Sequence, residues 1–129
     1  YQTDGSAGFD LHACLDQSHL MSPGETFVVP TGLKIWIGVD GFVGKIYPRS
    51  SWATKKGLVL ANGTGIIDSD YQGEWMIALK NLSGHSHRIK NGDRIAQCII
   101  ETYVKPSFRE VSCFHDVTAR GEGGFGSTG

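Results

Sequence analysis

Apolar and polar residues alternate with period two in short runs along this chain, and turn residues punctuate the runs. Phe9 and Leu11 alternate with Asp10 and His12, which predicts a strand over Ser6–Ala13 with the Asp10 side chain opposite the apolar pair. Pro23-Gly24 turns the chain, and strands follow over Thr26–Val29 and Leu33–Ile37, split by Pro30-Thr31-Gly32. Asp40-Gly41 makes the next turn and Phe42–Tyr47 the next strand. One helical turn is predicted over Trp52–Lys56, with Ser51 as N-cap and Gly57 as the left-handed C′ residue. Trp75–Leu79 has period two, Leu82–Ile89 reads as a loop or exposed strand, and Asn91-Gly92-Asp93 as a hairpin turn. Arg94–Ile100 is a largely buried strand, and Glu101–Phe114 supplies one or two more. Short strands at turn spacings of roughly 8–12 residues, with one helical turn, predict an all-β sandwich or barrel.

Within this pattern the stretch Leu60–Glu74 concentrates the candidate chemistry. Asn62-Gly63 lies between apolar runs, the strongest short hairpin signal, because both residues tolerate positive φ. Ile66 and Ile67 then lead into Asp68, Asp70, Tyr71 and Glu74 within a few residues. Such a hairpin leaves backbone polar groups unpaired at its tip to read a flat polar ligand, and a carboxylate just beyond it can take a proton from water. The stretch reads equally as an ordinary acidic turn.

Composition narrows the class. The 129 residues are 40% hydrophobic and 19% charged, the balance of one globular domain. Lys+Arg 12 against Asp+Glu 13 gives a net charge of −1, which argues against a nucleic-acid partner held by bulk charge. No apolar run approaches the ~20 residues that span a bilayer, so no membrane partner is expected. Cys14, Cys98 and Cys113 show no C-x-x-C spacing and are expected as free thiols in a reducing compartment. The expected location is the cytoplasm, or the nucleus or a virion for a eukaryotic or viral source.

Four further features carry chemistry beside a plainer reading. Arg49, Ser50 and Ser51 at a helix start form an anion site or a capped surface turn. Gln97, polar in a buried strand, takes its partners from backbone or from a ligand. His85 and His87 lack a third metal ligand nearby. The last ten residues, Arg120–Gly129, place one cation, one ring and two hydroxyls in a Gly-rich arm without the lysine of a Walker A loop.

Five segments stand in order: AGFDL (7–11), PRSS (48–51), GIIDSDYQGE (65–74), GDRIAQ (92–97) and RGEGGFGSTG (120–129). They resemble the five ordered motifs of the trimeric deoxyuridine triphosphate nucleotidohydrolases (dUTPases). The resemblance implies a distorted jelly-roll β domain over residues 1–119, with one short helix, and a flexible arm over 120–129 that closes on an active site. It implies a homotrimer with shared sites and Mg²⁺-dependent hydrolysis of dUTP to dUMP and pyrophosphate by in-line water attack on the α-phosphorus. That reaction limits uracil in DNA and supplies dUMP for thymidylate synthesis. Asp68 matches the water-activating aspartate. Asn62 and the backbone of Gly63, Gly65, Ile66 and Ile67 match the uracil-reading hairpin; Tyr71 matches the ring on the deoxyribose, with Met76 nearby. Arg49, Ser50, Ser51 and Gln97 match phosphate contacts, and Asp10 the carboxylate that holds the metal through water. From the arm, Arg120, Ser127 and Thr128 match the γ-phosphate grip and Phe125 the ring that covers the uracil, with Gly126 a further substrate contact. Two competitors remain. A related dCTP deaminase needs a glutamate where Ala78 stands. A regulator on the same scaffold would switch contacts with a protein partner by nucleotide occupancy.

Overall fold

The computed structural model describes residues 1–124. The strands are β1 (Phe9–His12), β2 (His19–Met21), β3 (Thr26–Pro30), β4 (Phe42–Pro48), β5 (Leu58–Leu60), β6 (Gly65–Ile67), β7 (Met76–Asn81), β8 (His87–Ile89) and β9 (Arg94–Thr102). They form a four-stranded sheet in the order β1-β9-β4-β6, a three-stranded sheet β3-β7-β5 and a two-stranded pair β2-β8. Every pairing is antiparallel, and the fold is all-β and jelly-roll-like.

Alternation decides which face is buried. In β7, Ile77, Leu79 and Asn81 point inward, while Met76, Ala78 and Lys80 do not. The core joins Leu11, Ile46 and Cys98 of the large sheet to Val29, Leu58 and Leu79 of the second, with Trp75 fully buried among them. Burial pushes the Cys98 thiol up to about 11, and all three cysteines are free. Asn81 is the one polar side chain on the inner face of β7, and it is fully satisfied. Its Nδ2 lies 3.2, 3.1 and 2.8 Å from the carbonyl oxygens of Met21, Ser22 and His85. Its Oδ1 accepts from Ser83 N–H and Oγ–H. This tie locks the three-stranded sheet to the small pair.

Several expected elements differ. Asn62-Gly63 does turn the chain, with Gly63 at φ 73 and its N–H donating to Leu60 O at 3.1 Å. The strands it joins are not partners: β5 pairs with β7, and β6 with β4. The turn therefore carries the chain from one sheet to the other instead of closing a hairpin. Asn91-Gly92-Asp93 behaves alike, since β8 pairs with β2 while β9 pairs with β1 and β4. Leu33–Ile37 joins no sheet, because loop groups take its backbone bonds: Trp75 N–H donates to Leu33 O and Trp75 Nε1–H to Ile35 O.

Ser51 is not an N-cap. Its backbone is already helical, at φ −66 and ψ −29, and its side chain makes no capping bond. The turn Trp52–Lys56 has π-type winding and ends, as expected, at left-handed Gly57. Trp52 packs into the core, with Lys56 Nζ 4.4 Å above its ring. Beyond Thr102 the expected further strands are absent among the described residues. Val104, Phe108, Phe114 and Val117 are 87–94% exposed, so this segment carries apolar side chains that its own chain leaves uncovered.

Candidate active site

β6 is the outer strand of the four-stranded sheet, and among the described residues it pairs only with β4. One edge of its backbone thus keeps unpaired N–H and C=O groups. That edge, rather than a hairpin tip, is the polar surface available for reading a flat ligand. A cleft of about 280 Å³ opens there, lined by Asn62, Gly65, Ile66, Ile67, Asp68, Tyr71 and Met76 together with Ile46 and Glu74. Gly63, in the turn, is not part of the lining.

Asp68 lies one residue past β6 with its side chain exposed at the cleft. Its carbonyl receives the Tyr71 N–H at 3.1 Å, which folds the loop back so that the Tyr71 ring reaches the same cleft. The Tyr71 hydroxyl donates to Glu74 O at 3.0 Å, and Glu74 Oε1 accepts from Gly32 N–H at 2.8 Å. Among the described residues the lining thus holds two carboxylates and no basic side chain. By itself it cannot attract a polyphosphate.

A second group forms where β1, β9 and the end of β4 meet. Asp10 is opposite Gln97 on β9, and Gln97 is opposite Tyr47 on β4. The Asp10 carboxylate, 10% exposed, bonds Arg49 Nε at 3.1 Å through Oδ1 and Arg94 Nη1 at 3.4 Å through Oδ2. Arg49 is engaged through Nε, which leaves its terminal nitrogens for an anion. Gln97 Nε2 donates to Pro48 O at 3.2 Å, so in this chain its partner is backbone. Ser50 and Ser51 are exposed beside Arg49. None of Asp10, Arg49, Ser50, Ser51 and Gln97 lines the cleft. Further along β4 and β9, Lys45 Nζ meets Glu101 Oε2 at 2.8 Å and the Tyr47 hydroxyl donates to Glu101 Oε1. The lysine's bond and charge hold the Glu101 carboxyl below its usual range, and Lys45 is raised in return.

Arg120 is exposed, with Nε donating to Gly123 O at 2.8 Å. Phe125, Gly126, Ser127 and Thr128 lie outside the described residues. His87 Nε2 sits 3.0 Å from Ser83 Oγ, and among the described residues no three His, Cys, Asp or Glu side chains gather to hold a metal. Sequence reasoning gave no role to Ile46, Glu74 or Arg94, though Glu74 and Arg94 both fall in the ordered motifs. Glu74 closes the acidic stretch and Arg94 stands in the same motif as Gln97, so both were legible as neighbours; nothing in the sequence signals that Ile46 lines the cleft.

The dUTPase family profile matches residues 1–129 of this chain. The chain belongs to the dUTPase family. The deoxyuridine 5'-triphosphate nucleotidohydrolase of Neisseria meningitidis serogroup B is 48% identical over all of this chain and 85% of its own length. The dUTPase of Staphylococcus bacteriophage 80alpha, solved with dUPNHPP, superposes with a TM-score of 0.86 at 29% identity, covering 100% of this chain and 89% of that one. A dUTPase from phage phi11 of S. aureus, described as coordinating a structural Mg(II) ion, gives 0.78 at 25% identity, with 90% of each chain covered.

The donor set of this dUTPase-family chain fits Mg²⁺ held mostly by water and phosphate. There is no all-protein cage among the described residues, and Mg²⁺ rarely uses one. Both Asp10 oxygens already face guanidinium groups. Asp10 would hold such an ion through its water shell.

Proposed function

We propose that this chain hydrolyses dUTP to dUMP and pyrophosphate by in-line attack of a water on the α-phosphorus. The observation that carries the reading is the cleft itself, where an exposed carboxylate, a sugar-sized ring and an unpaired strand edge meet. Backbone groups of β6 read the uracil edge and leave no room for a thymine methyl. Tyr71 packs on the deoxyribose, and Asp68 accepts the proton of the attacking water. Arg49, Ser50, Ser51 and Gln97 bind the phosphates. Mg²⁺, when bound, neutralises triphosphate charge and aligns its oxygens for displacement. The arm 120–129, with Arg120, Phe125, Gly126, Ser127 and Thr128, covers the nucleotide and excludes water.

Among the described residues the cleft lining has no basic side chain and the cationic group lies outside it, so we read the working enzyme as a homotrimer whose sites draw on neighbouring chains. The exposed apolar residues of 103–117 are the material for such contacts. The deciding measurement is pyrophosphate release from dUTP, dTTP, dCTP and UTP, each with and without Mg²⁺. Release from dUTP alone, dependent on Mg²⁺, is expected; equal release from all four, or ammonia from dCTP, overturns the reading.

Two variants test its parts. Tyr71→Ala narrows the preference for dUTP over UTP, read as the ratio of kcat/KM values; an unchanged ratio removes the ring from sugar selection. Asp68→Asn and Arg49→Ala, each nearly inactive alone, regain activity when co-refolded, to roughly a quarter of wild type for independent assortment in mixed trimers. No recovery sinks the shared site. A second reading has one observation behind it: the 80alpha relative is described as controlling transfer of virulence genes. A nucleotide-dependent protein partner of this chain would appear in a pull-down with dUPNHPP and vanish without it.

A further inference from the structure

The cleft contains a carboxylate with no part in the reaction proposed above. Glu74 lines it, half-buried, and its Oε1 accepts the Gly32 N–H at 2.8 Å across 42 residues of chain. Its own carbonyl receives the Tyr71 hydroxyl at 3.0 Å. The next residue, Trp75, is clamped to the same neighbouring segment: its N–H donates to Leu33 O at 2.9 Å and its carbonyl accepts from Thr31 Oγ1 at 2.6 Å. Gly73 completes the arrangement. A Cβ built there would collide with the Tyr71 hydroxyl oxygen and lie 2.5 Å from Cζ, so the ring folds directly over the bare glycine backbone.

A ring that rejects a single extra hydroxyl has to be held to a fraction of an ångström. Tyr71 is 42% exposed, and its own packing does not supply that restraint. We propose that Glu74 is a positioning residue for sugar selection: its carboxylate grips the neighbouring segment at Gly32, which fixes the carbonyl that anchors the Tyr71 hydroxyl and holds the ring on Gly73. The inference rests on the proposed role of Tyr71 against the deoxyribose.

The test compares kcat and KM for dUTP and UTP in the wild type and in Glu74→Ala, Glu74→Gln and Gly73→Ala. Gly73 has no positive φ, so alanine there adds only the methyl that displaces the ring. Glu74→Ala and Gly73→Ala each lower the dUTP-over-UTP ratio by about fivefold or more, the scale of one lost hydrogen bond, chiefly through a smaller KM for UTP. Glu74→Gln keeps an acceptor for Gly32 N–H and holds the ratio within about twofold. An unchanged ratio in Glu74→Ala, or an equal fall in Glu74→Gln, overturns the proposal. Should Glu74→Ala fail to fold, an unchanged ratio in Gly73→Ala overturns it instead. A wild type that does not prefer dUTP sinks the functional reading beneath it. If Tyr71→Ala narrows the preference while Glu74→Ala does not, only the present inference falls.

Discussion

Asp68→Asn is expected to lower kcat for dUTP by about 10²–10⁴-fold, the usual contribution of a general base. The substitution is nearly isosteric and leaves the loop intact, because the loop is held by the Asp68 carbonyl accepting from Tyr71 N–H and not by the carboxylate. What is lost is an oxygen that can take a proton from water. Affinity for dUPNHPP therefore survives, and the loss appears in turnover rather than in KM. Steady-state kinetics alongside calorimetric binding of that nucleotide separates the two. Near-normal turnover in this variant would remove Asp68 from its role.

Trp75→Ala is expected to have the largest effect on stability, about 3–5 kcal/mol, the cost of emptying a large aromatic site in a core. Trp75 is fully buried, lies 6.3 Å from the Phe9 ring and packs so closely on β4 that a Cβ at Gly44 would sit 3.3 Å from its Cη2. Its Nε1–H also satisfies Ile35 O, which alanine leaves bare. The residue stands between Glu74 and Met76, both in the cleft lining, so the same cavity loosens the site. Urea unfolding at one fixed protein concentration reads the loss, since assembly into the proposed homotrimer would otherwise shift the midpoint. A change below about 1 kcal/mol would mean the sheets close over the gap.

Most of the cleft was legible in the sequence because it is local. Asn62, Gly65–Asp68, Tyr71 and Met76 fall within fifteen residues, and one turn with one short strand brings them together whatever the sheet around them does. Asp10, Arg49 and Gln97 were legible only as separate motifs. Their meeting depends on the register of β1 on β9 and of β9 on β4, a contact between residues 39 to 87 apart in the chain. Arg94 sits in a segment singled out for its Gln, and nothing local signals that it reaches Asp10. Ile46 looked like any inward residue of a strand, and it lines the cleft only because β6 pairs beside it with Gly65 opposite.

Residue order alone determined where the chain turns, which side chains alternate inward and which short segment lines the cleft, because turn conformation and period-two burial are set by neighbours in the chain. Which strand each run would meet was decided only in three dimensions. Asn62-Gly63 and Asn91-Gly92 both turn as their backbones demand, yet each passes the chain to a different sheet, since inward-facing apolar residues are buried better between two sheets than across one hairpin. That choice leaves β6 at an edge with unpaired backbone groups, and the edge is where the cleft opens.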